Sequence, residues 1–506
     1  MKAIITLSFT ILAAILLSCT NNKCKNSEHR NTKAEGFVYV NEKHFEIDDS
    51  LWFPMMLNYK VEWRDKNFVP AGYYDEQTPE GMNRHFSMMS EAGFNCVRLC
   101  LDVVNKNDNG YYYGNGSDLA YIIADSTQIF QSIDKMLAMA QGNNLKTMLL
   151  IKPPLDKELM QFTTALLNHC ATNNTIFAYD FFNEPLYFDE EKSRDKMDAY
   201  NIVSSWRDTM DNHAPHQLFT IAFSEPIEVF EWDASILPVD FVEMHTYHPL
   251  RVANEAYWYG HYCNKPWMVG ETSLPADNNT IKYEWQTNFM RDSYRIALAN
   301  GAAGYGWWEF GDSPNGVNFE AQYSGLFYKE DNILKPKPAI SMAKQLKAEN
   351  NNMPTPANYH NMLGYSNIVL EGRITDAETG KGIEGAVIRG WNEYWSVGMN
   401  TFTDAEGNFT LYSNDICTHF EISAPGYSHL KFDDNSYKLH LEDSDETISF
   451  AEANLPEQLL EYQKIPLMKF ISDTVNPTFF NYSESDFNKS TYKARLGEFK
   501  LSKLMK

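Results

Sequence analysis

Two glutamates stand where short buried runs of the chain end. Glu184 follows Phe181, Phe182 and Asn183 and precedes Pro185, and Glu271 follows Trp267, Met268, Val269 and Gly270. Two carboxyl groups about 5 Å apart can cleave an acetal by double displacement. One, protonated, gives its proton to the departing oxygen; the other, ionised, attacks the acetal carbon and is later released by water. Such a pair must be held on rigid elements, and strand ends are rigid. Asn183 distinguishes the two: it can hydrogen-bond a sugar 2-hydroxyl beside Glu184, which assigns Glu184 as acid and base and Glu271 as nucleophile. A nucleophilic carboxylate needs donors to stay ionised, and Arg98 and Tyr247 can supply them, with His245 on the same strand face as Tyr247.

The elements that must carry these residues are legible from about residue 37 to 350, where apolar strand-like runs alternate with segments of helical period. Eight strands are expected, at 53–58, 94–100, 146–151, 176–182, 218–223, 241–247, 267–271 and 302–308. Helices are expected between them at 79–92, 127–141, 158–171, 194–212, 281–299 and 337–349. Eight such units predict an α/β fold, a (β/α)8 TIM barrel with its reactive groups at the carboxyl ends of the strands. Glu184 then follows the fourth strand and Glu271 ends the seventh.

Further matches share this order. Phe37, Val38 and Tyr39, with Phe45, Ile47, Asp48, Phe53 and Asn58, lead into the first strand, and Gly93, Asn95, Val97 and Arg98 mark the second. Asn183, Glu184 and Pro185 mark the fourth, His245 and Tyr247 the sixth, Glu271 the seventh and Trp308 the eighth. In this order and spacing the residues resemble glycoside hydrolase family 5, within the clan of barrel hydrolases that carry their catalytic carboxylates on strands four and seven. The resemblance implies a retaining β-glycosidase without metal or cofactor, in which Arg98 supports the nucleophile and Trp308 forms a sugar platform. One departure is Leu150, Ile151, Lys152, Pro153, Pro154, which ends the third strand where the family commonly has a histidine; it points to a divergent subgroup or a sister family. Lys152 reads as a solvated loop residue.

Three other carboxylates rival the pair, Glu225, Glu243 and Glu309. Ser224, Glu225 and Pro226 imitate the acid/base motif but lack the preceding asparagine and follow the fifth strand. Glu243 lies deeper, as an ion-pair member or part of the nucleophile's network. Glu309 reads equally as a sugar contact or a loop residue. Trp307 and Trp308 point to opposite sides of their strand, so only one can line a cleft, and the family resemblance selects Trp308.

After a proline-bearing linker at 351–362 the pattern turns all-β, with strands expected at 368–374, 376–382, 386–389, 401–404, 409–412 and 465–468 and a hairpin turn at Asp404 and Gly407. Gly372 to Asp376, Thr379, Gly380, Gly385 to Val387, Thr403, Asp404, Gly407, Phe409 and Pro425 to Tyr427 resemble the carboxypeptidase-regulatory-like β-sandwich, placed at 363–470 with a tail at 471–506. A spacer role is expected for it. Trp391 and Trp395 there read as packing rather than as a sugar platform.

Length and charge bound the rest. A chain of 506 residues, 43% of them apolar, exceeds one core and predicts a large domain with an accessory module. Its 43 basic and 67 acidic residues give a charge of −24. No basic stretch interleaved with aromatics is present, which argues against nucleic acid and favours a neutral glycan as partner. Lys2, the apolar run 3–17 and then Leu16, Leu17, Ser18, Cys19 resemble a bacterial lipobox. The expectation is a signal peptide at 1–18, lipidation at Cys19, a tether at 19–36 and an exported lipoprotein at the periplasmic face or cell surface. The membrane would be met through the lipid alone, with other envelope proteins as the remaining class of partner. Cys24, Cys96, Cys100, Cys170, Cys263 and Cys417 show neither metal-ligand spacing nor a disulfide framework. The function expected is hydrolysis of a neutral polysaccharide or oligosaccharide, of endo-β-mannanase or endo-β-glucanase type. The alternatives are a transglycosylase and a non-catalytic glycan-binding lipoprotein on a degenerate barrel.

Overall fold

A computed structural model describes residues 33–102, 126–151, 157–189, 191, 194–247, 252–316, 318–347, 368–391, 398–413, 417–433 and 492–504. Cys19 and the signal segment, Lys152, the linker at 351–362, Trp395 and the strand expected at 465–468 lie outside the described residues.

Eight strands form the barrel: β1 (Met55–Arg64), β2 (Cys96–Asp102), β3 (Lys146–Leu150), β4 (Ile176–Asn183), β5 (Leu218–Phe223), β6 (Val242–His245), β7 (Trp267–Glu271) and β8 (Tyr305–Trp307). Each pairs with the next in parallel, and β8 pairs with β1 to close the ring. The eight strands are those expected from the sequence. β1 runs on past residue 58 because its second half also pairs antiparallel with Asn67–Pro70. Besides the short helical turns Pro185–Phe188 and Phe319–Tyr323, one helix among the described residues escapes the periodic reading, Val252–Tyr262. It is buried on nearly every side, so it carries no polar stripe to reveal a period of 3.6.

Alternation along the strands sorts side chains into layers inside the barrel. Near the amino ends, Met56, Cys96, Met148, Ala178, Leu218 and Met268 make an apolar floor with Phe241. A three-stranded sheet, Val38–Asn41, His44–Ile47 and Ser50–Trp52, adds Val38 and Phe45 to this cluster. Phe45 meets Phe241 edge-on at 5.0 Å and plugs that end. Two residues further along the strands the interior turns polar, with Asn58, Arg98, Asp180 and Glu243 all fully buried. Gly270 belongs here for a steric reason: a Cβ at 270 would fall 2.0 Å from the Glu243 Cγ. The carboxyl ends lie above this layer.

The C-terminal strands form two sheets. β9 (Ile368–Asp376) lies between β12 (Asn408–Ser413) and β15 (Tyr492–Leu501); the other sheet runs β11 (Gly398–Phe402), β10 (Val387–Trp391), β13 (His419–Ser423), β14 (Leu430–Asp433). Leu370, Ile374, Ile388, Leu411, Phe420, Ile422 and Leu501 share one core between them. Three details differ from the sequence reading. Residues 376–382 are a turn instead of a strand, because the Asp376 carboxylate accepts the Glu378 and Thr379 N–H groups and Gly380 takes φ +67°. The Asp404–Gly407 turn forms, but it passes the chain from β11 in one sheet to β12 in the other, so it closes no hairpin. The stretch assigned to a tail holds β15, which pairs in parallel with β9 along its whole length. Trp391 is buried and stacks on His419 at 5.6 Å.

Candidate active site

Arg98, in the polar layer, is the hub. Burial opposes its charge, but Glu243, Asp180, Cys100 and Glu271 around it more than compensate and hold its pKa well above the usual value. Its Nη2 donates to Asp180 Oδ2 at 2.6 Å and to Asn183 Oδ1 at 2.8 Å, and its Nη1 donates to Asn58 Oδ1 at 2.9 Å and to Glu271 Oε1. One planar cation thus fixes residues from β1, β4 and β7. Asn58 in turn donates to the carbonyls of Gly270 at 2.9 Å and Trp307 at 3.0 Å, which ties β1 to β7 and β8.

Glu271 ends β7 and is buried. Besides Arg98, it accepts the Tyr247 hydroxyl on Oε2. Burial, then the Glu271 charge, raises the Tyr247 phenol well above its usual range, so it stays a donor. Glu184 follows β4 in a left-handed conformation, φ 46° and ψ 72°, before a single helical turn, Pro185–Phe188. It is more exposed than Glu271, and His245 Nδ1 bonds its Oε1 at 2.7 Å.

His245 sits between the two glutamates, its Nδ1 3.5 Å from Glu271 Oε2 and its Nε2 3.5 Å from Glu243 Oε1. Burial alone would strip its proton; Glu271, Glu184 and Glu243 outweigh it and hold the imidazolium up to about 10. Glu243 makes no hydrogen bond of good geometry and pairs by charge with Arg98 Nε at 3.4 Å and with His245. It is therefore an ion-pair member below the site. Glu184, His245 and Glu271 offer atoms within 4.8 Å of one another, a spacing that could hold a metal ion. A metal there would have to displace the His245 proton.

Trp307 is fully buried and donates its Nε1 to Ser324 O at 3.0 Å, whereas Trp308 is partly exposed, with Lys60 Nζ 4.7 Å from the centre of its ring. Glu309 is buried and accepts the Tyr73 and Tyr74 hydroxyls, each at 3.1 Å. Burial raises its pKa against the pull of Lys60 and the two tyrosines. Of the seven residues singled out in the barrel, Asn183, Glu184, His245, Tyr247, Glu271 and Trp308 lie at the strand ends and Arg98 lies one layer below, in the middle of β2; Arg98, Asn183, Tyr247 and Glu271 share one hydrogen-bonded network, which His245, bonded to Glu184, joins by its ionic contact with Glu271. Asp180 was missed. Its signal was a lone acid in the otherwise apolar run of β4, where burial raises its pKa against the pull of Arg98. Glu228 was also missed; it is 4% exposed and accepts the Leu186 N–H, two residues past Glu184, on both oxygens at 3.1 Å.

No protein-family description matches the sequence, and no curated protein matches it. Among solved structures, an exo-β-1,4-mannosidase from Opitutaceae bacterium strain TAV5 aligns at 13% identity and TM-score 0.47, over 67% of this chain and 65% of that one. A β-glucuronidase from Ruminococcus gnavus aligns at 13% and 0.43, over 62% and 53%. A GH5_18 structure from Streptomyces cattleya in complex with GlcNAc aligns at 13% and 0.44, over 65% and 85%. The chain spans less than two thirds of the length of the first two.

Proposed function

We propose that the protein is a retaining β-glycoside hydrolase acting on a neutral oligosaccharide or polysaccharide, with Glu184 as acid and base and Glu271 as nucleophile. The observation that carries this reading is the pair itself. One oxygen of each carboxylate lies within 4.8 Å of the other's, compatible with the short carboxyl separation, about 5–5.5 Å, of retaining enzymes. Their surroundings differ: Glu271 is the more buried and receives a guanidinium and a phenol, while Glu184 is the more open of the two and is bonded by the His245 imidazole. Glu184 protonates the leaving oxygen as Glu271 attacks the anomeric carbon. His245 then stabilises the Glu184 carboxylate until it deprotonates the water that frees the sugar. Arg98 holds the Asn183 oxygen, so the Asn183 amide nitrogen is left as the donor for a 2-hydroxyl.

The substrate we favour is a β-mannan or β-glucan cleaved internally, with Trp308 under one ring. Tyr187 and Phe188, three and four residues past the acid, are 56% and 42% exposed and would offer aromatic faces to a longer glycan. A panel of polysaccharides with product sizing tests the substrate. Trapping with a 2-fluoro glycosyl fluoride followed by peptide mass spectrometry tests the mechanism: a label on Glu271 supports it, and a label elsewhere overturns it. Product analysis with excess acceptor separates hydrolysis from transglycosylation.

A further inference from the structure

The turn that carries Glu184 is held by a segment of chain 40 residues away, and that segment is gripped by the C-terminal sheets. Pro185 has no N–H, so Leu186 brings the first free donor of the turn, and the Glu228 carboxylate takes it. Glu228 also accepts the Ser224 N–H at 3.3 Å and hydroxyl at 3.1 Å, which joins the ends of β4 and β5. At the far end of the turn, Asp189 accepts the Trp232 indole N–H at 2.9 Å. Both anchors belong to the stretch around the 3-10 turn Pro226–Phe230, all five residues of which are buried.

The same stretch meets the C-terminal sheets. Phe230 stacks on His429 at 5.3 Å with the rings 6° from parallel. Glu225 accepts Asn400 Nδ2 on one oxygen at 2.6 Å and the Tyr187 hydroxyl on the other at 3.3 Å. Asp233 accepts the Gly426 N–H at 2.7 Å and Lys196 Nζ at 2.9 Å, and Lys196 also reaches Ala424 O at 2.9 Å. Trp258 donates to Gly385 O at 2.9 Å, and Val387 and Phe402 from the C-terminal sheets lie in the same apolar cluster as the barrel's outer core.

We propose that Glu228 is a positioning residue for Glu184 and that the C-terminal sheets, through their hold on residues 225–233, set the placement of the acid/base; they are part of the catalytic unit and not a spacer. The inference rests on the assignment of Glu184 made above. Burial pushes Glu228 up to about 8 against the Leu186 and Ser224 donors, with Glu184 adding to the rise, as befits a carboxyl enclosed beside the acid.

Full-length Glu228→Leu, Glu228→Gln and Asn400→Ala test it on 2,4-dinitrophenyl and 4-methylumbelliferyl β-glucosides and β-mannosides, with Glu184→Gln as reference. A displaced acid slows formation of the glycosyl-enzyme, which kcat/KM reports, only for the aglycone that needs protonation, whereas the base-assisted second step is common to both. Glu228→Leu should lower kcat/KM on the methylumbelliferyl substrate by about 10²-fold and on the dinitrophenyl substrate by less than about threefold. Glu228→Gln, which keeps an acceptor oxygen, should recover most of that loss, and Asn400→Ala should shift the ratio the same way by a smaller factor. Equal loss on both aglycones, or none, would overturn the proposal. If Glu184→Gln itself shows no dependence on the aglycone, the catalytic assignment fails instead. A readout free of substrate is hydrogen exchange of the Leu186 amide. It should quicken in Glu228→Leu and in Asn400→Ala, and unchanged protection in the folded Asn400→Ala protein would sink the inference even where Glu228→Leu fails to fold.

Discussion

At the scale of single residues, the site sets four acidic side chains, Asp180, Glu184, Glu243 and Glu271, around two bases, Arg98 and a His245 that keeps its proton. The folded value of about 10 stands above the ordinary 6.5, so folding takes up a proton. The stabilisation is complete below pH 6.5 and is lost as the pH rises through 10. Thermal unfolding of the wild type and His245→Asn from pH 6 upward should therefore show a gap in Tm that narrows across this window; a gap constant with pH would refute the imidazolium. Glu271→Gln should abolish turnover while the protein still folds, as circular dichroism would show. Glu184→Gln should cost about 10²–10⁴-fold on unactivated substrates. Gly270→Ala drives a methyl into the Glu243 side chain and should destabilise by about 1–3 kcal/mol, measured by chemical denaturation. The placement of the two glutamates was legible because they abut apolar strands. Asp180 was not read because the ladder between β4 and β5 shifts register between Asp180 and Asn183, and that break blurs the alternation that would have set it facing inward.

At the scale of elements, the barrel was legible because parallel strands are buried on both faces and read as continuous apolar runs; β4 is buried at all eight positions. What the sequence hid are the connections made across it. Glu228 sits 42 residues from Leu186, and no local pattern marks a carboxylate as the acceptor for a distant N–H. The same holds for β15, which follows residues outside the described set and pairs with a strand more than a hundred residues earlier. The turn after Glu184 yields a prediction of its own. Replacing Tyr187 and Phe188 together with alanine should raise KM for oligosaccharides by about tenfold or more and leave dinitrophenyl monoglycosides little affected, since stacking on an exposed aromatic contributes roughly 1 kcal/mol per ring.

At the scale of the whole molecule, barrel and C-terminal sheets meet through a buried ion pair. Lys196 is 3% and Asp233 1% exposed in their side chains, and burial lowers the Lys196 pKa against the pull of Asp233. Lys196→Met leaves Asp233 without its cation and should cost about 3–5 kcal/mol, read as a large fall in Tm. The proposed lipid anchor belongs to this scale too: Cys19→Ala should move the protein from the membrane fraction to the soluble one, and continued sedimentation with membranes would refute lipidation. The plug at the barrel floor gives that anchor a direction. Lys146, which opens β3, holds the Gly36 carbonyl at 2.9 Å, and Phe37 packs on His216 at 5.3 Å, so the chain enters from beneath the floor, opposite Glu184 and Glu271. A tether joined at this end would leave the open mouth of the barrel facing away from its point of attachment.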